Sequence, residues 1–361
     1  MSPEKWFPLV PRPRPPGEKL TIRIERITAA ARTARSGAPE EAVAAAAQVY
    51  NGAALIASDV GLPDLARDWC WEHAQLYQDH LPLDATMAQR ALEPVVNLAR
   101  LQIRAGEGAA AFRMLTTLRE GVGSATPTVV DGHELPLDRL TASDEGRAEL
   151  YRWVWMICLG DGTRALASQG QWSRAAEHAR DHNGVGDRLF DGRQVAVIAE
   201  LTAGDPKTAL ALAEDSAVRE PWERAVQSAL VLWCRIKAGE VEADEAATVL
   251  QQVQDIQDRH VVFRTRLGIA ATDLAGGLHG NATVLAAQLV SAVVQARDVY
   301  AARDLLRAWE GELSQGSRAA LGSVLDTSGL DTGMLQDASL QALKASLHEA
   351  RERLSDNLLM T

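Results

Sequence analysis

The stretch TAGDPKTALALAEDSAVREP, residues 202–221, holds the end of one predicted helix, a glycine, and the start of an alanine-rich second helix. Taken alone it has two interpretations: a glycine loop that could hold a phosphate, or the bend between two structural helices. The same order recurs in RAGEGAAAFRMLTTL (104–118), SQGQWSRAAEHA (168–179) and KAGEVEADEAATVL (237–250). The glycines are separated by 64, 34 and 35 residues, and they are Gly106, Gly170, Gly204 and Gly239.

A recurrence of 34 or 35 residues is the length of a helix-turn-helix repeat. One such helix pair cannot bury both of its apolar faces, so neighbouring pairs stack into a continuous array. Glycine suits the bend because the residue after a helix often adopts a left-handed conformation that other residues avoid. The sequence therefore predicts an all-α, right-handed α-solenoid over residues 21–310, and it favours the structural interpretation of residues 202–221.

The repeat at residues 190–223 carries three positions of a known consensus: a glycine between the helices, a small residue in the second helix and a terminal proline. These residues are Gly204, Ala209 and Pro221. They resemble the tetratricopeptide repeat, although Arg193, Ala196 and Val197 stand where that family has its first-helix Trp-Leu-Gly pattern. The resemblance is clearest from about residue 90 to residue 255. It implies a degenerate array of tetratricopeptide-like helix pairs.

The amino-acid composition of the chain argues against some classes of function. The chain has 361 residues, 47% of them hydrophobic, and a formal net charge of −11. That charge opposes direct nucleic-acid binding, which needs clustered lysine and arginine. The N-terminus has no apolar core of signal-peptide length, and no run of about 18 uncharged apolar residues occurs. We expect a soluble cytoplasmic protein that binds neither nucleic acid nor a membrane.

The cysteines, the glycine-containing stretch at residues 182–194 and the nearby histidines do not match a known catalytic, nucleotide-binding or metal-binding motif. Cys70, Cys158 and Cys234 are 88 and 76 residues apart, lack a C-x-x-C pair, and are predicted to be buried. The stretch HNGVGDRLFDGRQ, residues 182–194, lacks a preceding strand and the Lys-Ser/Thr of a phosphate-binding loop. His178 and His182 are spaced for metal binding, but no third ligand is identifiable. We therefore predict no catalytic residue, metal or cofactor.

Two segments interrupt the array. Prolines make the N-terminal arm, residues 1–20, extended, and Trp6 and Phe7 could fix it to the rest of the chain. In the insertion at residues 121–147, Asp131 and Gly132 lie between two β-prone runs, which predicts a β-hairpin. This hairpin could be a lid or partner contact, or only a decorating loop.

The C-terminal segment, residues 311–361, ends in an amphipathic helix. Leu340, Leu347 and Leu354 recur every seven residues, which makes an apolar stripe. The segment is predicted to form a helical cap on the open end of the array. Homodimerisation through the same stripe is the alternative.

The tetratricopeptide resemblance also implies where a ligand would bind. Arrays of that family bind ligands on the concave surface formed by the first helix of each pair. In the register of the resemblance, the implied binding residues are Glu93, Asn97, Arg100, Arg104, Arg164, Ser168, Asp191, Gln194 and Arg235. Asn97, Arg100 and Arg104 share one helical stripe, suited to a peptide carboxylate or backbone. A solvated polar helix face is the other interpretation of this stripe.

The leading hypothesis is a non-enzymatic, cytoplasmic helical-repeat protein. Its concave groove would bind a protein or peptide partner in a regulatory or assembly role. The alternative is an atypical enzyme or small-molecule sensor with a polar pocket at residues 178–194. That pocket would gather His178, His182, Asp191 and Arg193.

Overall fold

The computed structural model describes residues 3–12, 17–241, 244–256 and 260–358, and most of them are helical. In chain order the elements are a 3-10 turn (Pro3–Lys5), α1 (Leu20–Ser36), α2 (Pro39–Asp59), α3 (Pro63–Gln78), α4 (Ala85–Ala105), α5 (Gly108–Ser124), β1 (Thr128–Val130), β2 (His133–Leu135), α6 (Asp144–Ile157), a π turn (Cys158–Gly162), α7 (Thr163–Ala167), α8 (Trp172–Asp181), α9 (Asp191–Ala203), α10 (Pro206–Glu214), α11 (Pro221–Ala238), α12 (Glu245–Asp255), α13 (Val261–Leu274), α14 (Asn281–Ala296), α15 (Val299–Ala308), α16 (Gln315–Asp326) and α17 (Asp337–Leu358). Within these described ranges, every helix is too short or too polar to cross a membrane.

The chain forms two compact units. Each unit consists of one long segment and one end of the chain that is not continuous with it. One unit comprises Lys19–Ala165 and Gly329–Thr361, and is called here the 19–165 unit. The other comprises Met1–Glu18 and Leu166–Ser328, and is called the 166–328 unit. The N-terminal arm therefore belongs to the unit built mainly from the second half of the sequence.

Each unit is built from helices that pack against their sequence neighbours and also against the helix two positions further on. In the 19–165 unit, α4 packs against both α2 and α6. In the 166–328 unit, α9, α11, α13 and α15 contact one another in order and form what we call the first-helix layer. The helices α12, α14 and α16 follow one another in the same way on the second layer. The prediction of a stacked, helical-repeat architecture is confirmed.

The glycine bends have the conformation that the repeat requires. Gly106, Gly204 and Gly239 end α4, α9 and α11 with φ values of 86°, 88° and 74°. No atom outside the adjoining residues lies within 4 Å of where a Cβ on Gly204 would stand, so the requirement is conformational rather than steric. Asp205 caps the next helix by accepting the N–H of Thr208 at 3.0 Å. The stretch at 202–221 is thus a bend between two helices.

The alanine-rich α2 lies at the centre of the 19–165 unit, in contact with α1, α3 and α17. Short side chains let helix axes approach closely, since interaxial distance depends on the residues at the contact. The buried alanines of α2 are Ala42, Ala45, Ala46, Ala47, Ala53, Ala54 and Ala57. The amphipathic helix at the end of the chain, α17, covers α1 and α2, and its buried residues include Leu343, Leu347, Ala350 and Leu354. The C-terminal helix thus caps the first helices of the chain, whereas α16 belongs to the 166–328 unit.

The predicted hairpin is present. Strands β1 and β2 pair antiparallel, with Val130 opposite His133 on either side of the turn. Both turn residues have positive φ, 54° at Asp131 and 81° at Gly132, the left-handed conformation that a two-residue hairpin turn needs. Trp71 of α3 donates its indole N–H to the Asp131 carboxylate at 3.0 Å and stacks on His133 with 4.1 Å between ring centroids. The hairpin is therefore held against α3.

The three cysteines are buried thiols rather than disulfides, as the sequence predicts. Burial raises the pKa of the Cys70 thiol to about 12, and it has the same effect on Cys234. Both thiols are therefore protonated at neutral pH and act as small apolar groups in the core.

Candidate peptide-binding face

The arginine stripe predicted on α4 exists, but both of its guanidinium groups are paired within the chain. The Nε of Arg100 donates to Asp161 Oδ2 at 2.7 Å, and its Nη1 donates to Asn97 Oδ1 at 3.1 Å. Arg104 donates from Nη2 to Asp59 Oδ1 at 2.6 Å. A ligand carboxylate would have to compete with these internal carboxylates.

Asp59 ties three helices together. It is the last residue of α2, its side chain is 3% exposed, and its other carboxylate oxygen accepts Nη2 of Arg23 from α1 at 2.6 Å. Because Arg104 lies at the end of α4, the Arg23–Asp59–Arg104 triad joins α1, α2 and α4. Removing one partner of a buried ion pair leaves an uncompensated charge, so these residues have a structural role irrespective of any ligand.

The partner of Arg100 comes from the π turn that follows α6. A π turn adds a residue to a helix and redirects the side chains near it. Here the turn contains Asp161, which is buried and faces Arg100. Of the remaining residues predicted in this unit, Glu93 lies on α4 and Arg164 on α7, and both are half-buried.

In the 166–328 unit, the predicted residue Asp191 binds a segment of the chain itself. Asp191 opens α9, and its Oδ1 accepts the backbone N–H of Val10 at 2.8 Å. Its Oδ2 accepts Nη2 of Arg12 at 3.0 Å. One carboxylate thus holds both the backbone and a basic side chain of the N-terminal arm.

The arm contacts three successive helices of the first-helix layer. Its 3-10 turn packs against α13, and Phe7 stacks on Trp233 of α11 with 6.3 Å between ring centroids. Val10 and Arg12 then reach Asp191 on α9. Trp6, Phe7 and Leu9 of the arm are buried, which is consistent with Trp6 and Phe7 fixing it to the unit. Residues 13–16 of the proline-rich arm lie outside the described residues.

The other residues predicted in this unit have different surroundings. Gln194 is wholly buried and donates its amide N–H to the carbonyl oxygen of Leu189 at 2.7 Å, which gives it a place in the interior. Ser168 is exposed before α8. Arg235 of α11 pairs with Glu245 of α12 and with Glu214 at 3.5 Å. These two glutamates line an open groove of about 650 Å³ between α11 and α12.

One acidic residue of the same layer was missed by sequence reasoning. Asp273 lies in the last turn of α13, and neither of its carboxylate oxygens has a hydrogen-bond partner or access to solvent. Burial raises the pKa of this carboxyl, the positive charge of the N-terminal amine lowers it, and the negative charges of Glu312 and Glu4 raise it. Its only sequence signal is an acidic residue within the otherwise apolar run GIAATDL (268–274).

The residues of the alternative pocket, 178–194, make several separate contacts. The rings of His178 and His182 are tilted by 45° to each other with 4.2 Å between their centroids, and both residues are largely buried. Arg193 donates to the Ser216 hydroxyl at 3.1 Å and to the Leu212 carbonyl oxygen at 2.9 Å, which ties α9 to the end of α10. Asp191 holds the arm.

The chain matches no family model, no curated protein and no solved structure. The resemblance to tetratricopeptide repeats therefore rests on two observations. These are the positions of the glycine, alanine and proline in the sequence, and the stacking of helix pairs in each unit.

Proposed function

We propose that this chain is a non-enzymatic interaction protein. It is a right-handed, tetratricopeptide-like solenoid that binds an extended segment of a protein partner on the first-helix layer. The observation that carries the proposal is the double contact of Asp191 with the Val10 N–H and the Arg12 guanidinium. A face that already binds a segment of its own chain has the chemistry to bind another segment of the same kind.

The contacts of the arm support this reading physically. A carboxylate that accepts a backbone N–H binds any extended chain, whereas a guanidinium on the same carboxylate selects for a basic residue. Phe7 against Trp233 adds a buried aromatic contact, the type of group that dominates interface energetics. Backbone hydrogen bonds with side-chain pockets at intervals are a recurrent mode of peptide recognition.

The arginine stripe of α4 has a smaller part in the proposal. An acidic partner residue would share Arg104 with Asp59, or Arg100 with Asp161. The net charge of −11 supports a protein partner rather than a nucleic acid. The proposed location is the cytoplasm.

Site-specific photo-crosslinking in the native cell tests the proposal. Benzoylphenylalanine in place of Phe190, which is exposed and adjoins Asp191, reports on the first-helix layer. The matched control places the same residue at Val284, an exposed apolar position on α14 in the second layer. We expect a protein partner crosslinked from position 190, absent from position 284, and lost with Asp191→Lys. The same set of proteins from both positions would overturn the proposal.

A further inference from the structure

Two histidines at the end of α8 lie together in the interior of the 166–328 unit. His178 is in the last turn of the helix and His182 is the residue that follows it, so the two imidazoles are one helical turn apart on the same face. Each residue is only 8% exposed. The pair is therefore not part of a solvated polar helix end, which is the usual setting of such residues.

A hydrogen bond fixes the tautomer of one of the two rings. His182 Nδ1 lies 2.8 Å from the main-chain carbonyl oxygen of His178. Because a carbonyl oxygen only accepts, Nδ1 carries the proton and the lone pair of the neutral ring is on Nε2. Histidines that bind a metal almost always donate their other ring N–H to a carbonyl or carboxylate oxygen, which orients the ring and makes the ligand nitrogen more basic. His182 has this arrangement.

The two rings are close enough to bind one ion. Their planes are tilted by 45°, and one ring nitrogen of each lies within 4.8 Å of a ring nitrogen of the other. Two nitrogens bound to one tetrahedral zinc ion are about 3.4 Å apart, since each Zn–N bond is about 2.1 Å long. A small rotation of the imidazoles about their side-chain bonds is enough to bring both nitrogens to such an ion.

We propose that His178 and His182 bind a divalent transition-metal ion of the zinc class, and that the ion has a structural role at the end of α8. Imidazole nitrogen suits zinc, copper and nickel, whereas magnesium and calcium prefer oxygen ligands. The low exposure of both rings favours a structural ion, because a catalytic ion keeps an open position for a substrate. This inference does not depend on the proposed function.

The ion would act where α8 ends and the chain turns toward α9. Helix α8 ends at Asp181 and packs against α9, which begins at Asp191. An ion held by residues four positions apart crosslinks the last helical turn. Because the unfolded chain does not hold the two imidazoles in this arrangement, metal binding stabilises the folded state. The site therefore predicts that the stability of the chain increases when zinc is added.

Titration of the metal-free full chain with Zn²⁺, followed by calorimetry, tests the inference, and Mg²⁺ is the control ion. His178→Gln and His182→Gln each remove one ligand. His348→Gln is the matched control, because His348 also has a partner four residues away, Glu352, but both are exposed on α17. We expect one Zn²⁺ to bind equally to the unaltered chain and to His348→Gln, and at least about tenfold more weakly to each α8 variant. Zn²⁺ should raise the melting temperature of the first two proteins only.

X-ray absorption at the zinc edge, measured on the unaltered chain, does not depend on the folding of any variant. We expect two imidazoles bound to the ion. Fewer than two, or no binding of Zn²⁺ at all, would overturn the inference. So would equal affinity in all the variants, or a loss of binding in His348→Gln. None of these measurements involves the N-terminal arm or the first-helix layer, so their failure would leave the proposed function standing.

Discussion

Asp191 and Arg12 form an ion pair at 3.0 Å although 179 residues separate them in the sequence. The pair closes the arm over the first-helix layer of the 166–328 unit. Because α17 closes over α1 and α2 of the other unit, each end of the chain completes the unit formed mainly by the opposite half. Neither unit is therefore formed by one continuous segment of the chain.

Substitution of Asp191 by Ala is expected to release the arm. The change removes the acceptor of the Val10 N–H and of Arg12, and should cost about 1–2 kcal/mol of unfolding free energy. Hydrogen exchange of residues 3–12 should accelerate while α13 stays protected. The control is Arg147→Ala, which removes an exposed ion pair with Asp144 and should change stability by less than about 0.5 kcal/mol. Equal exchange in both variants would contradict the arm contact.

Substitution of Arg104 by Glu tests the buried triad. If Arg104 were only a ligand-binding residue, this variant would weaken ligand binding without unfolding. In the structure, Arg104 neutralises Asp59, and a glutamate beside that buried carboxylate should lower the unfolding free energy by about 3 kcal/mol or more. Urea denaturation measures the loss. The control, Arg113→Glu, changes the same charge on the neighbouring helix α5, and a loss as large as that of Arg104→Glu would show that charge alone is responsible.

His73 should make stability depend on pH. Burial lowers the pKa of its imidazole to about 3, and both ring nitrogens lack hydrogen-bond partners. The unfolded chain binds a proton near pH 6.5, so the stabilising contribution is complete above that pH and is lost as the pH falls toward 3. His73→Phe keeps the stacking on Tyr50, and should therefore lose less stability between pH 7.5 and pH 5 by about 2 kcal/mol.

Thermal unfolding at several pH values measures that difference. His348→Asn is the control, since His348 is exposed on α17 and its loss should leave the pH dependence unchanged. Parallel pH profiles for the native chain and His73→Phe would show that His73 does not titrate on unfolding.

Gly204→Ala tests the bend that defines the repeat. An alanine at φ 88° is strained, so the variant should lose about 1 kcal/mol of unfolding free energy even though no other group fills the space. Gly322→Ala is the matched control, because Gly322 lies within α16 with open space beside it and alanine favours helix. It should stabilise by up to about 1 kcal/mol. The same sign for both substitutions would contradict the left-handed bend.

A chain of residues 19–165 alone is expected to aggregate or to unfold without cooperativity. It lacks α17, whose removal exposes the apolar surfaces of α1 and α2. Joining residues 329–361 to the same segment through a short flexible linker should restore cooperative unfolding, as measured by circular dichroism. A well-folded 19–165 segment would show that α17 is dispensable.

Much of the fold could be predicted because it depends on residues close in the sequence. The glycines at the bends, the Asp131–Gly132 turn and the stripe of α17 each specify a conformation or a face within a few positions. The predicted binding residues were selected by helical register, which places a side chain on a face of a helix but does not identify its partner. Asn97, Arg100 and Arg104 do share one stripe of α4. Gln194 was selected by the same repeat register, yet it lies in the interior.

The sequence by itself determined the repeat, the helical bends, the hairpin and the burial of the cysteines, because backbone preference and apolar periodicity act locally. The tertiary structure decided which charges meet. Arg104 pairs with Asp59, which is 45 residues away in the sequence, and Arg100 pairs with Asp161, which is 61 residues away. The carboxylate of Asp273 has no hydrogen-bond donor. Electrostatic contacts depend on positions in space, which periodicity does not specify, and so only the folded chain shows that the predicted ligand-binding residue Asp191 holds the N-terminal arm.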